Sequence, residues 1–118
     1  MEPLPATVEH RDGWTVVSAT GPLDVATSPA LRQRLTELQV PAGTRLVLDL
    51  EGVEHIDSFG LAVLIGALKR ARSSGGSLVV RCTRQRTLSL LALTRLDEVL
   101  DVVAELSDLD GLEPDPGV

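Results

Sequence analysis

The sequence predicts a single α/β domain, and three observations carry that reading. Short β-branched runs alternate with segments of helical periodicity, the first two runs are separated only by a turn signal, and 118 residues is the size of one domain. The expected order is β-β-α-β-α-β-α-β, a sheet with some antiparallel edge character.

Each element has its own signal. "ATVEH" and "WTVVSAT" flank "RDG", which marks a hairpin, and Gly21-Pro22 closes the second strand. In "TSPALRQRLTEL", Thr27 or Ser28 is placed to cap a helix with Pro29 in its first turn. Leu31, Leu35 and Leu38 share one face of it, and "PAG" ends it. "TRLVLDL" is apolar enough for a strand buried on both faces. A helix follows from Ser58 to Arg72, with Lys69, Arg70 and Arg72 complementing the dipole at its end and "SSGG" breaking it. "SLVVRC", "RQRTLSLLAL" and "LDVVAEL" read as strand, helix and last strand, and "SDLDGL" has room for a turn or two, with Ser107 as its cap. The proline- and acid-rich ends, 1–5 and about 108–118, are expected to fray.

Composition removes several function classes. The net charge of -6 is uneven: residues 1–96 hold nine acids and eleven bases, and residues 97–118 hold eight acids and no base. The bases form no stripe, and Trp14 and Phe59 are the only aromatics, so nucleic acid is not an expected partner. The longest apolar run, "GLAVLIGAL", is well short of the roughly 20 residues of a spanning helix, so membrane insertion is not expected. Cys82 is the only cysteine and reads as a core residue. With a start, "MEPLPATVEH", unlike a secretory signal, the expected compartment is the reducing cytoplasm. One cysteine and the distant His10 and His55 make no metal set, and no phosphate-cradling motif marks a cofactor site.

The stretch "HIDSFGLAVLIGALKR" carries the functional question. Ser58 lacks the first glycine of a nucleophile elbow, and nothing assembles a base and oxyanion site around it, so no catalytic residue is expected. Asp57 and Ser58 ahead of an apolar run are first of all helix caps, worth about 1 kcal/mol. At 100° per residue, Leu61, Leu64, Ile65, Leu68 and Arg72 form a core face. Phe59, Ala62, Val63, Gly66 and Arg70 gather on the opposite side, uncharged until Arg70. Either the helix is buried on both sides or that second face is a docking surface, with Phe59 and Val63 as its stripe. Ser58 stands at its edge, where a phosphate would add about -1.5 to -2 charges.

Three stretches, "GPLDVATSPALRQRL", "LVLDLEGVEHIDSFGLAVLIGALKRA" and "RTLSLLALTRLDEVLDVV", together resemble the STAS-domain class of bacterial anti-sigma factor antagonists. The resemblance implies one STAS-like domain over 1–118, with a mixed sheet of four to five strands and helices mainly on one face. It implies a regulatory binding protein without catalysis or cofactor, whose partner is an anti-sigma factor, usually a serine kinase of histidine-kinase-like ATPase fold. The unphosphorylated form binds that partner and frees a sigma factor. Phosphorylation at Ser58 ends binding, and a phosphatase reverses it. Asp57, the motif aspartate, and Asp24, an acid near the loop, are implied by the resemblance. With Gly60 and the residues that periodicity places on the second face, Phe59, Ala62, Val63 and Gly66, they make up the expected partner-binding and switch set. Phe59 and Arg95 depart from the family pattern, which more often has a small hydroxyl residue and a glycine there, and the final helix is shortened. Two other readings stand beside this one: a stand-alone STAS subunit of a lipid or anion transport complex, and a serine-dependent enzyme that a phosphonyl probe would label at Ser58.

Overall fold

A computed structural model describes residues 6–111, and the predicted order is the observed one. A hairpin, β1 (Ala6–Arg11) and β2 (Trp14–Thr20), turns on Asp12 and Gly13. Both turn residues have positive φ, at 50° and 85°, the conformation that favours an Asp-Gly pair in a tight hairpin. Then come α1 (Ser28–Leu38), β3 (Arg45–Gly52), α2 (Ser58–Ser73), β4 (Ser77–Arg81) and α3 (Gln85–Leu93). A 3-10 turn (Leu96–Glu98), β5 (Asp101–Val103) and a second 3-10 segment (Leu106–Gly111) complete the described chain.

The strands lie in the sheet in chain order, β1 antiparallel to β2 and all later neighbours parallel. The three helices cover one face. Val17, Leu46, Leu48, Leu50, Leu78 and Val80 point into a core with Leu31 and Leu35 of α1, Leu64 and Ala67 of α2, and Leu91 of α3. Alternation sends Trp14, Val16, Val47 and Val79 to the other face. There Leu106 and Leu109 pack on them, and Arg45 stacks over the Trp14 ring at 4.3 Å. Leu106–Gly111 is a 3-10 segment that overlaps the start of the expected frayed end. The spacing of Leu106 and Leu109 puts both side chains on one side of such a turn. Residues 1–5 and 112–118 of the expected frayed ends lie outside the described residues.

β5 is shorter than predicted, since Ala104 turns away after pairing ends at Val103. Arg81 holds that turn: its Nε donates to Ala104 O at 2.9 Å, and its guanidinium reaches Asp49 at 3.4 Å and Glu105 at 3.7 Å. After α3, Arg95 adopts the left-handed conformation, φ 61°, which a glycine would take more easily.

The carboxyl ends of β3 and β4 are clamped by Glu51. Its carboxylate accepts from Thr83 N at 2.7 Å and from the Thr83 hydroxyl, and its carbonyl accepts from Arg84 Nε. The Thr83 hydroxyl bond holds the Glu51 carboxyl below the ordinary carboxylate range. A lowered folded-state pKa stabilises above the unfolded value, and that contribution disappears as pH falls through the folded one. Glu51→Gln is therefore expected to be less stable than the parent at neutral pH, with the gap closing through the acid range. Urea midpoints measured at several pH values check this; a gap that stays constant would mean the charge is irrelevant.

Candidate functional site

The site forms where the chain leaves β2 and β3 at neighbouring positions of the sheet. Residues 21–27 and 53–57 continue the parallel pairing beyond the strands. Gly21 N donates to Gly52 O at 3.0 Å, Leu23 N to His55 O at 2.8 Å, and Asp57 N to Leu23 O at 3.1 Å, with Leu23 and Ile56 forming an isolated bridge. The two loops are therefore one tied unit, with Leu23 buried beneath it.

Each loop delivers its helix through an aspartate. Asp24 Oδ1 accepts from Ala26 N at 2.9 Å and Thr27 N at 3.1 Å. The Thr27 hydroxyl donates to Pro22 O at 2.7 Å and accepts from Asp24 N at 3.0 Å, so it closes the loop and caps nothing. Ser28, the other expected cap, is buried with its Oγ unpartnered. At α2 the cap is Asp57, whose Oδ1 accepts from Phe59 N at 2.8 Å and Gly60 N at 3.2 Å. The capping role considered for Ser58 is thereby assigned to its neighbour. Ser58 is the first helical residue, and it is exposed.

The helix surface around Ser58 differs in phase from the periodicity reading. Phe59 is 53% exposed and Ala62 is exposed, as expected for a docking face. Val63 is not: at 4% exposure it belongs to the core, whereas Ile65, expected inside, is 38% exposed. The reason is that α2 has two neighbours. It packs on the sheet and also on α1, where Gln39 Nε2 donates to Ala67 O at 2.9 Å and Arg70 Nε donates to Gln39 Oε1 at 2.9 Å. Burial is thus turned toward α1, and the stripe of Phe59 and Val63 is replaced by Phe59 and Ala62 above a buried Val63.

Two glycines of the expected set have different surroundings. Gly60 is buried, so it offers no contact surface. A side chain there would meet Ile56 Cγ2 at 2.7 Å and Leu23 O at 2.9 Å, so its absence lets α2 start against the tied loops. Gly66 is half-buried, and a Cβ there would meet only the end of Arg70, at 3.3 Å.

Between the helices runs a shallow groove of about 210 Å³, with Ser28, Pro29 and Arg32 on one wall, Phe59 and Ala62 on the other and Val63 in its floor. Val25, 60% exposed in the loop that Leu23 pins, adds a further apolar side chain to this end of the molecule. The sequence reading did not select Val25, Pro29 or Arg32. Val25 directly follows Asp24, and an apolar residue inside a capped turn was the signal available. Pro29 and Arg32 gave none, because their value depends on α2 lying alongside. His55 and Glu54 are exposed on the other side of the loop, and His10 is exposed at the hairpin, within 3.4 Å of the Thr15 hydroxyl. Cys82 is buried, as predicted. Among the described residues, no three His, Cys, Asp or Glu side chains group as metal ligands.

A mixed sheet with its helices on one face and an exposed serine on a tied, capped helix start defines a class of small regulatory binding domains. The STAS domain family model matches residues 5–109, and the chain belongs to the STAS-domain anti-sigma factor antagonist family. The anti-sigma-B factor antagonist of Bacillus subtilis is 34% identical over 98 residues, 83% of this chain and 89% of that protein. Among solved structures, an anti-sigma factor antagonist from Mycobacterium paratuberculosis is 33% identical with a TM-score of 0.73, over 87% of each chain. An anti-sigma-factor antagonist (STAS) domain protein from Planctomyces limnophilus shares the fold, with a TM-score of 0.79 at 21% identity over 88% of this chain and 92% of the other. The relatives carry regulatory names. No helix among the described residues is long and apolar enough to cross a membrane.

Proposed function

We propose that this chain is an anti-sigma factor antagonist of the cytoplasm that works by partner exchange. Unphosphorylated, it binds an anti-sigma factor that is also a serine kinase; phosphorylation of Ser58 releases that partner, and a phosphatase restores the binding form. The observation that carries this reading is the placement of Ser58, exposed at the first position of α2 and followed by the exposed Phe59 and Ala62. A kinase can reach the hydroxyl without unfolding the chain. In that transfer the kinase base takes the Ser58 proton, a bond forms from Oγ to the γ-phosphorus, and ADP leaves with the old bridging oxygen.

The same geometry supports the switch. Asp57 already occupies the Phe59 and Gly60 N–H groups, so a phosphate on Ser58 finds these helix-start donors taken. Its charge stays at the rim of an apolar contact, next in the chain to the carboxylate of Asp57. A partner that desolvates this rim meets an unpaired anion, which costs several kcal/mol.

Ser58→Ala is expected to bind the kinase as the parent does and to take up no phosphate from ATP. Ser58→Asp supplies about one charge instead of nearly two, so it should weaken binding by roughly tenfold, or about 1.4 kcal/mol, without abolishing it. Incubation with the anti-sigma kinase, followed by mass mapping and a binding titration, tests both. Phosphate on another residue of the alanine variant would sink the assignment.

A further inference from the structure

On the side of the tied loops away from α1, a second hollow separates α3 from residues 53–57. It encloses about 410 Å³, within the ~300–1,000 Å³ typical of small-molecule sites. Its wall is mostly apolar, formed by Ile56, Leu90 and Leu93, and Leu93 is 82% exposed. Arg86, Leu90 and Leu93 recur at i, i+4 and i+7, so one face of α3 runs from a cation to a bare leucine. At its cationic end the hollow adjoins a polar shelf that shares Glu54 and Arg86 with it and adds Arg84 and Gln85.

That shelf is the first turn of α3, and two independent features leave it short of an acceptor. Arg84, at the cap position, supplies no capping bond, so the first-turn N–H groups have no side-chain acceptor. Thr87, which lines the hollow, is only 3% exposed, yet its hydroxyl has no hydrogen-bond partner among the described residues. Arg86 takes part in none of the ion pairs among those residues. Arg84 is engaged by Glu51, whose carbonyl accepts from its Nε, so the cation left to meet an anionic head group at this end is Arg86, beside Glu54.

We infer that this hollow binds a single-chain anionic amphiphile. The alkyl chain lies along Ile56, Leu90 and Leu93, and a carboxylate or phosphate head sits at the α3 first turn with Arg86 and the Thr87 hydroxyl. The site is independent of the Ser58 reading, since no residue of α1 or α2 lines it.

The test is an amide-shift titration of the full chain with monomeric decanoate and decyl phosphate, against decanol and decyltrimethylammonium. Saturable shifts confined to residues 54–56 and 84–93 are expected for the two anions, with the alcohol and the cation at least tenfold weaker. Arg86→Glu and Leu93→Asp, both at exposed positions, should each lower decanoate affinity tenfold or more, while Val40→Asp, at an exposed position just past α1 that does not line the hollow, leaves it unchanged. Equal binding of decanol would overturn the head-group site, and unsaturable or scattered shifts would overturn the hollow. So would an Arg86→Glu variant that binds decanoate like the parent. Binding to phosphatidylglycerol vesicles without binding to free decanoate would point to a membrane surface and also overturn the proposal.

Discussion

Val63→Lys is expected to collapse the melting transition, at a cost of several kcal/mol, because the ammonium would be buried without a partner between α1 and the sheet. Phe59→Lys, four residues earlier and half in solvent, should stay within about 0.5 kcal/mol of the parent in stability. It should instead lose the partner, by about 2 kcal/mol or more if Phe59 is an aromatic anchor of the contact. Thermal melts and a binding titration on the two variants give opposite patterns. If Val63→Lys melts like the parent and only binding fails, the burial of Val63 and the packing of α2 on α1 are both misassigned.

Gly60→Ala carries the second large effect. The added methyl would stand 2.9 Å from Leu23 O, which already accepts from Asp57 N at 3.1 Å. Ile56 can rotate away, but the carbonyl cannot shift without loosening the bond that ties the two loops. Overpacking of this kind costs about 1–3 kcal/mol, and alanine's helix preference offsets at most about 1 kcal/mol of it. The variant is expected to be less stable and to be phosphorylated more slowly at Ser58, since the start of α2 is displaced. Parent-like stability and rate together would show that the close approach is not a constraint.

These two residues mark where the sequence was legible and where it was not. Element order and type were readable because each segment announces itself locally: the Asp-Gly turn, the leucine spacing of α1, the apolar run of β3. The phase of α2 was not, because a helical wheel assumes one direction of burial, and α2 has two. Its sheet side was read from Leu64, but the α1 side, which takes Val63, exists only once the helices are adjacent. The helix start was read to within one residue. Asp57 and Ser58 are both good caps, and local sequence does not distinguish them; Asp57 is fixed by its N–H bond to Leu23 O, a contact 34 positions away in the chain. The hollow beside α3 lay beyond local reading for the same reason, since Ile56 and Leu93 share a wall only through the sheet.

The order of strands across the sheet, identical to their order along the chain, has a consequence for assembly. Every pairing joins consecutive strands, so each closure spans a hairpin or a single crossover and none waits for the far end of the chain. The bridge between Leu23 and Ile56 ties the first crossover unit, β2, α1 and β3, to the loop that follows it. Once that unit has closed, both loops that flank Ser58 are in register, while α3 and β5 are still unneeded. The part of the chain that bears the switch thus needs no contact from α3 or β5, and a growing polypeptide can complete it before its last third has been made.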